Sequence, residues 1–592
     1  MRLSWLTYVF PAVTLLFIAL FFLGCPNLKT CELSFGEFRR FSRRDALVLG
    51  VITAVYAAVA FYGLGDTEAP ERFSRFENGD SAVLELERES DIGGIFFYTG
   101  LNTGSYTLEY SHDGEHWQEV GKLSQGYADL FKWKDAEFND GAESSARYIR
   151  LTAVGGDLYL GELCVRAPDG STIAYDCDRP ELCDESALVP ESSSYLNSSY
   201  FDEIYHARTA FENLNGVYPY EVSHPPLGKL IIALGISLFG MCPFGWRFMG
   251  VLFGVFMLPA LYVFLKRMFG GTVVPACATA IFAFDFMHFT QTRLATIDTY
   301  GVFFIILMYL FMYLYVTGGR AWHLALSGVC FGLGAACKWT CIYAGAGLGV
   351  IWLLHWISGM VRKERFFGEF FRNCLFCLAF FVFIPCLIYY LSYCPYGIAR
   401  GMSAPGMFFD RDYLDIVLQN QEFMFTYHSG VTAEHPYSSR WYQWIIDQRP
   451  ILYYLEYFDD GTRSSFGAFL NPVLCWAGLV SVVIMGWLAV ARRDKTAAFI
   501  FIGYLAQLLP WVFITRITFE YHYFPSAVFL LLALAYIFAL MRRQAPDWKW
   551  RVGGLTALSL ILFAAFYPVL SGARVNAELA GSLLGWLPSW PF

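Results

Sequence analysis

Charge is scarce in this chain: Asp, Glu, Lys and Arg make up 16% of its 592 residues, against 56% hydrophobic and 19% aromatic residues. That scarcity excludes a soluble multi-domain protein. Basic patches are also lacking. The formal net charge is −9 and the acids gather around 66–90 and 176–203, so nothing supports nucleic-acid binding. Of the fifteen cysteines, only Cys164, Cys177 and Cys183 are placed where a disulfide is permitted, and their odd number leaves the pairing open. The others read as small core residues. Tight metal-ligand spacing is absent among His206, His224, His428, His435, His522 and Asp202, so no metal site is expected, and a divalent cation is not anticipated. No small-residue cleavage pattern precedes Cys25-Pro26, and the first apolar run is expected to be an uncleaved helix rather than a signal peptide.

What the chain has in abundance is apolar runs long enough to cross ~30 Å of hydrocarbon. They fall at 5–24, 46–64, 247–266, 271–288, 299–317, 322–337, 341–358, 372–393, 468–491, 496–514, 523–541 and 552–570. The expected fold class is therefore a polytopic α-helical membrane protein with about twelve transmembrane helices. Short basic loops, carrying Arg39, Arg40, Arg43 and Arg44, Lys266 and Arg267, Arg320, Arg362, Lys363 and Arg365, Arg492 and Arg493, and Arg542, Arg543, Lys549 and Arg551, mark the cytoplasmic side. Threading the spans through them puts 66–246, 289–298, 338–340, 394–467 and 515–522 outside, with both termini. The segment Leu227 to Gly240, close behind Pro225 and Pro226, reads as a helix in the outer interface.

Domain boundaries follow. Residues 1–65 hold two helices and a basic loop, 66–190 a soluble insert, 191–246 a first outer loop with the interfacial helix, 247–393 a transmembrane core, 394–467 an aromatic-rich outer loop, and 468–592 the last helices. The insert shows period-two alternation at Ser81–Leu86, Gly94–Tyr98, Ser105–Tyr110 and Ala146–Thr152, with a turn at His112-Asp-Gly-Glu, which argues an antiparallel β-sandwich. The runs YTLEYSHDGEHWQEV and ARYIRLTAVGGDLYLGELCV resemble discoidin (F5/8 type C) jelly-roll modules, which often bind carbohydrate through loops at one end. Trp117 and Trp133 are either sugar platforms or, for Trp117, the sandwich's core tryptophan.

The chemistry concentrates in FDEIYHARTAFENLNGVYPYEVSHPPLGK, residues 201–229. Asp202 and Glu203 form an acid pair at a bilayer edge before an apparent helix, His206 to Asn213, and a carboxylate there suits removal of a proton from a hydroxyl. By itself such a pair reads equally as solvated surface. His224-Pro-Pro-Leu-Gly-Lys229 and Phe244-Gly-Trp-Arg247 add a rigid turn and cations. Further polar clusters stand at the outer span ends: Gln291-Thr-Arg-Leu-Ala-Thr-Ile-Asp298, Lys338-Trp339, His435-Pro-Tyr-Ser-Ser-Arg-Trp-Tyr-Gln-Trp444 with Arg449-Pro450, and Arg516-Ile-Thr-Phe-Glu-Tyr-His522-Tyr-Phe-Pro525.

In this order the clusters resemble the protein O-mannosyltransferase family of GT-C glycosyltransferases, over about 190–570. The resemblance implies an inverting transferase that moves a sugar, mannose above all, from a polyprenyl-phosphate donor to Ser/Thr hydroxyls of proteins. It makes Asp202 the base and Glu203 its neighbour or an acceptor-positioning group. Arg247, Arg293, Lys338, Arg516 and His522 become donor-phosphate candidates, and His224, Asp298, His435 and Trp441 substrate-positioning ones. Each has a plainer reading: arginines at span ends snorkel, Asp298 is the N-cap of the helix from Thr299, and Trp441, Tyr442, Trp444, Tyr453 and Tyr454 form an interfacial belt. No tightly bound cofactor is implied. Expected partners are the lipid-linked sugar, a secreted or membrane protein acceptor, membrane lipids and a glycan ligand of the insert.

The expected location is the cell membrane, multi-pass, with extracytoplasmic catalytic loops, or the endoplasmic reticulum membrane for a eukaryotic source. The loop 394–467 is too short for the MIR domain of eukaryotic members, which points to the bacterial branch, and both the insert and the first helix are additions to the family's pattern. Two alternatives stay open. One is a GT-C transferase modifying a lipid or cell-envelope glycan, as aminoarabinose transferases do; the other is a transporter or sugar-binding receptor, against which few charges stand near the midplane.

Overall fold

The computed structural model describes residues 6–31, 40–137 and 145–592. Arg39 of the first basic loop lies outside the described residues. The chain divides into two compact units, one of Met1–Tyr62, Glu221–Leu230 and Gly250–Phe592, the other of Gly63–Tyr220 and Ile231–Met249. This division differs from the expected boundaries: the stretch 191–220 folds with the insert, whereas 221–230 folds with the helical unit.

The helical unit is a bundle of long apolar helices. Among the described residues, nine helices are long and apolar enough to cross a bilayer, and a tenth span arises if the bent pair Val273–Ala283 and Phe286–Thr292 counts as one. Twelve spans were expected. The three that fall short each contain a helix: 271–288 is bent by 55°, and the helices at 7–23 and 321–337 have fewer than eighteen described residues. The break in the bent pair comes at Asp285, whose carboxylate accepts the His288 N–H at 3.0 Å and so starts a new helix. Phe524–Gln544 is buried from Phe524 to Met541. A helix apolar on every side belongs in the middle of a bundle.

A buried ionic knot ties the bundle together near the first basic loop. Ser42 and Asp45 form a capping box at the start of Arg43–Phe61. Asp45 also accepts from Lys266 Nζ at 2.9 Å, Tyr262 Oη at 2.8 Å and Thr272 Oγ1 at 2.8 Å. Residues 451–468 form a hairpin that periodicity did not single out, β11 (Ile451–Tyr457) and β12 (Thr462–Ala468), extended by Val575–Asn576. Its turn signal was present: Asp460 Oδ1 accepts the Thr462 N–H, and Gly461 takes φ +75°.

The other unit is built on β1 (Ser74–Phe76), β2 (Ser81–Asp91), β3 (Gly94–Thr99), β4 (Gly104–Ser111), β5 (Gln118–Gln125), β6 (Trp133–Glu137), β7 (Ser145–Val154), β8 (Leu158–Arg166), β9 (Thr172–Ile173) and β10 (Tyr175–Cys177). These form two five-stranded antiparallel sheets, β1-β8-β3-β6 with β9 on β8, and β10-β2-β7-β4-β5. Ala82, Leu84, Leu86, Ile149 and Leu151 from one sheet share a core with Ile95, Phe97, Leu163 and Val165 from the other. All four alternating stretches expected as strands are strands. The 112–115 turn joins β4 to β5, with Asp113 Oδ1 accepting from the N–H groups of Glu115 and His116.

Strand β3 departs from alternation because both of its faces are covered. Ile95 and Phe97 enter the inter-sheet core, while Phe96 and Tyr98 pack on Trp133, Phe96 stacking on it at 5.0 Å. Of the insert's two tryptophans, Trp133 is thus the buried one. Trp117, read as the core residue, instead lies half-buried under the Arg150 guanidinium at 4.2 Å. Cys164, Cys177 and Cys183 are all free thiols.

Removing one member of a buried ion pair strands the other charge and costs about 3–5 kcal/mol. Asp45→Ala is accordingly expected to lower the unfolding midpoint of the detergent-solubilised protein markedly, as read by tryptophan fluorescence. An unchanged midpoint would deny the knot any role.

Candidate functional site

The acid pair sits where a strained loop turns into a helix. Phe201 holds φ +47°, a region that side chains other than glycine adopt at a cost, and Glu203–Leu214 follows with Asp202 at its N-cap position. Glu203 and Arg247 form a bidentate pair with both bonds at 2.7 Å, the side chains 0% and 1% exposed. The remaining guanidinium N–H groups go to the carbonyls of Leu64 at 2.8 Å, Tyr195 at 2.7 Å and Ser198 at 3.1 Å. All five donors of Arg247 are therefore used. Gly245 in Phe244-Gly-Trp-Arg247 is required by a close approach, since a Cβ there would lie 2.2 Å from the Gly240 carbonyl oxygen.

The insert grips the same loop. Ser199 donates its N–H to the Phe131 carbonyl at 3.0 Å and its hydroxyl to that of Leu130 at 2.6 Å, and Ser198 Oγ accepts the Trp133 N–H at 3.0 Å. Phe131, itself at φ +53°, lies edge-on to Phe211 at 5.2 Å, and Tyr127 stacks with Tyr205 at 6.4 Å. The insert and the acid-pair helix are one packed object.

In the helical unit, a cavity of about 500 Å³ is lined by His224, Lys338, Trp339, His428, Trp511, Arg516, Tyr521 and His522. Lys338, between two helices, pairs with Asp298 at 2.6 Å and stands 5.4 Å from the centre of the Tyr521 ring. His522 stacks on Tyr521 at 4.4 Å and faces Trp511 at 4.4 Å. The His224 loop is folded by Lys229, buried at 0% exposure, which donates to Glu221 Oε2 at 2.6 Å and to the carbonyls of Glu221 and His224. Gly228 in that motif allows contact with Ile297, whose Cγ2 would stand 2.7 Å from an added Cβ. Arg516, Thr515 and Ile517 also line a second cavity of about 750 Å³, with Glu434, His435, Arg440 and Arg449. Among the described residues, no group of three His, Cys, Asp or Glu side chains is placed to hold a metal ion.

Burial disfavours the charged form of His428 and His224. Burial pushes His428 down to about 4, with the His224 ring and the Arg516 and Lys338 charges adding to the effect. Burial also lowers His224, against the opposing pull of Glu221. Lys338 and Arg516 are the lysine and arginine side chains on this wall.

Two family models match most of the helical part. "Dolichyl-phosphate-mannose-protein mannosyltransferase" matches 223–389, and "C-terminal four TMM region of protein-O-mannosyltransferase" matches 414–590. The polyprenol-phosphate-mannose–protein mannosyltransferase of Mycobacterium tuberculosis is 27% identical over 450 residues, covering 66% of this chain and 86% of that protein. Its counterpart in Mycolicibacterium smegmatis is 28% identical over 453 residues, covering 66% and 87%. The chain belongs to the protein O-mannosyltransferase family. The fold agrees: the Saccharomyces cerevisiae protein O-mannosyltransferase Pmt1-Pmt2 complex bound to the sugar donor superposes with a TM-score of 0.59 at 13% identity, covering 67% of this chain and 89% of that one.

Against the residues that the mannosyltransferase resemblance singled out, the structure brings four together in the first cavity, His224, Lys338, Arg516 and His522, with Asp298 joined through Lys338. His435 lines the second cavity. Arg247 does not face a cavity: its donors are spent on Glu203 and backbone. Arg293 is buried with Nη1 on the carbonyls of Ala60 and Tyr62 at 2.7 Å each, which closes the end of Arg43–Phe61. Trp441 lies outside both cavities, edge-on to Tyr442. Asp298 is the first residue of its helix and not its N-cap, which is Ile297, so its carboxylate serves Lys338 rather than backbone N–H groups. Glu221, which orders the His224 loop, was missed by sequence reasoning. Its spacing three before His224 was visible, but an acid in an outer loop carries no signal of burial.

Glu203→Ala is expected to destabilise the protein by about 3 kcal/mol, read as a lower thermal midpoint; an unshifted midpoint would show that Arg247 finds other anchorage. For His428 the folded value lies below the unfolded ~6.5, so the folded state binds fewer protons between pH 6.5 and about 4. Stability must fall as pH drops through that window, by no more than about 1 kcal/mol per pH unit for a half-buried ring. His428→Gln is expected to flatten this acid limb, and a limb as steep as the wild type's would contradict the neutral assignment.

Proposed function

We propose that this member of the mannosyltransferase family moves mannose, with inversion, from a polyprenyl-phosphate carrier to Ser/Thr hydroxyls of proteins at the extracytoplasmic face of the membrane. The observation that carries the reading is the first cavity, where Lys338 and Arg516 are the charged groups on a wall of Trp339, Trp511 and Tyr521. Fixed cations stabilise a departing phosphate, and aromatic faces suit a sugar and an isoprenoid chain.

Roles are assigned residue by residue. Asp202 takes the proton of the incoming hydroxyl as its oxygen bonds to the anomeric carbon. The bond from that carbon to the phosphate oxygen breaks, and the electron pair leaves with the polyprenyl phosphate, an anion that needs no strong general acid. Lys338 and Arg516 hold that anion. Asp298 orients Lys338 through the 2.6 Å pair. His224 and His522 line the donor pocket as positioning groups. Glu203 and Arg247 act as a structural pair and Arg293 as a helix-end anchor.

The insert, read as a discoidin-like jelly roll, selects the acceptor. Its packing on the acid-pair loop through Ser198, Ser199 and Phe131 supports a coupling between the insert and that loop. The loops carrying Asp202, Lys338 and Arg516 are assigned to the extracytoplasmic side because the intervening loops are basic.

The test is transfer of radiolabelled mannose from polyprenyl-phosphate-mannose to a Ser/Thr-rich peptide in detergent. Asp202→Asn is expected to lower kcat about 10²–10⁴-fold with donor binding retained, and Lys338→Met to weaken donor binding itself. Full transfer by Asp202→Asn would remove its role as base. No transfer by the native protein would turn attention to a glycan or lipid acceptor.

A further inference from the structure

The second cavity is the less expected of the two. It is not apolar: besides Arg440, Arg449 and Arg516, its wall includes Ser438, Gln443 and Thr518. Arg440 donates from Nη1 to the Thr515 carbonyl at 2.8 Å, Arg449 from Nη2 to that of Pro436 at 2.6 Å, and Arg516 from Nη1 to that of Ile517 at 3.2 Å. Each guanidinium is thus oriented by a backbone carbonyl. Among the described residues, none of the three pairs with a carboxylate within 4.0 Å. Glu434 is the single acid on the wall, beside His435.

Three arginines tethered but not neutralised, around one open cavity, form a receptor for anions. A planar fork that keeps free N–H groups recognises a carboxylate or phosphate with geometric selectivity, which an ammonium does not. Arg516 stands on the walls of both cavities, so a ligand seated in the second reaches the first along Arg516 and Thr515. The polar lining gives an acyl or isoprenoid chain little to bury against, which favours a hydrophilic, extended ligand over a lipid.

We infer that the cavity bounded by Arg440, Arg449 and Arg516 is an acceptor subsite that receives an acidic side chain of the substrate polypeptide, close in sequence to the Ser or Thr that is modified. This rests on the protein-directed transferase reading above. The subsite gives that activity a preference the donor chemistry does not: acceptors with Asp or Glu flanking the hydroxyl bind better than neutral ones, and basic ones bind worst. Because the arginines are partly solvated, the preference weakens as salt rises.

The experiment uses the full-length protein in detergent, polyprenyl-phosphate-mannose, and three peptides identical except for Glu, Gln or Lys two residues from a single acceptor Thr. At low salt, kcat/KM is expected to fall in the order Glu, Gln, Lys, with about tenfold between the extremes and the difference carried by KM. Arg440→Gln with Arg449→Gln is expected to bring the three peptides within about twofold of one another, and the double Lys variant to restore part of the order. Equal kcat/KM for all three peptides with the native protein would overturn the subsite, whatever the variants do. An order that survives the double Gln variant would overturn its location. Failure of the native protein to mannosylate any peptide is a different result, and would overturn the protein-acceptor reading and the subsite with it.

Discussion

The unit that carries the acid pair depends on one interaction, the buried Arg247–Glu203 pair. A guanidinium withdrawn from water survives only when every N–H finds an acceptor, and here two go to one carboxylate and three to the carbonyls of Leu64, Tyr195 and Ser198. Those carbonyls belong to the approach to the insert and to the loop preceding Asp202. One side chain thereby joins the start of the insert, its end and the acid-pair helix. With that geometry set, Phe201 can be held in a left-handed conformation, and the turn at Phe131 can be held against it through Ser199. The strain is local and its restraint is distributed.

The same economy governs the helical unit. Lys229, Lys266 and Lys338 are each buried against an acid, Glu221, Asp45 and Asp298, but their surroundings differ. Lys266 and Lys229 are enclosed and only shape the backbone, the first at the knot of Ser42, Tyr262 and Thr272, the second beneath the His224 loop. Lys338 lies on a cavity wall, where an anionic ligand can share it with Asp298. Lys338 shares that wall with Arg516, so an arriving phosphate meets two basic side chains.

Much of this was legible in the residues. Hydrophobic run length located every helix that spans or nearly spans, and alternation located β2, β3, β4 and β7. Three spans fell short for local reasons, Asp285 capping a second helix being the clearest. The hairpin at 451–468 was hidden because its strands mix aromatic and charged residues within an aromatic-rich loop, although Asp460-Gly461 marked its turn. Trp133 and Trp117 exchanged places because alternation assigns a residue to a face without saying what covers that face, and on the outer face of β3 Phe96 and Tyr98 pack on Trp133.

The sequence by itself determined the class of molecule: which segments are apolar enough for a bilayer, that a β-rich insert interrupts them, and which polar motifs recur in the protein O-mannosyltransferases. Composition and periodicity are properties of short windows, and motif order is a property of the chain. Which charges are spent and which remain available was decided only by tertiary structure. Glu203 and Asp202 are neighbours of the same type, as Arg247 and Arg516 are alike on paper, yet one of each is locked in a buried pair while Arg516 lines the cavities. Glu203 and Arg247 find each other across 44 positions of chain, and no local pattern records such a pairing.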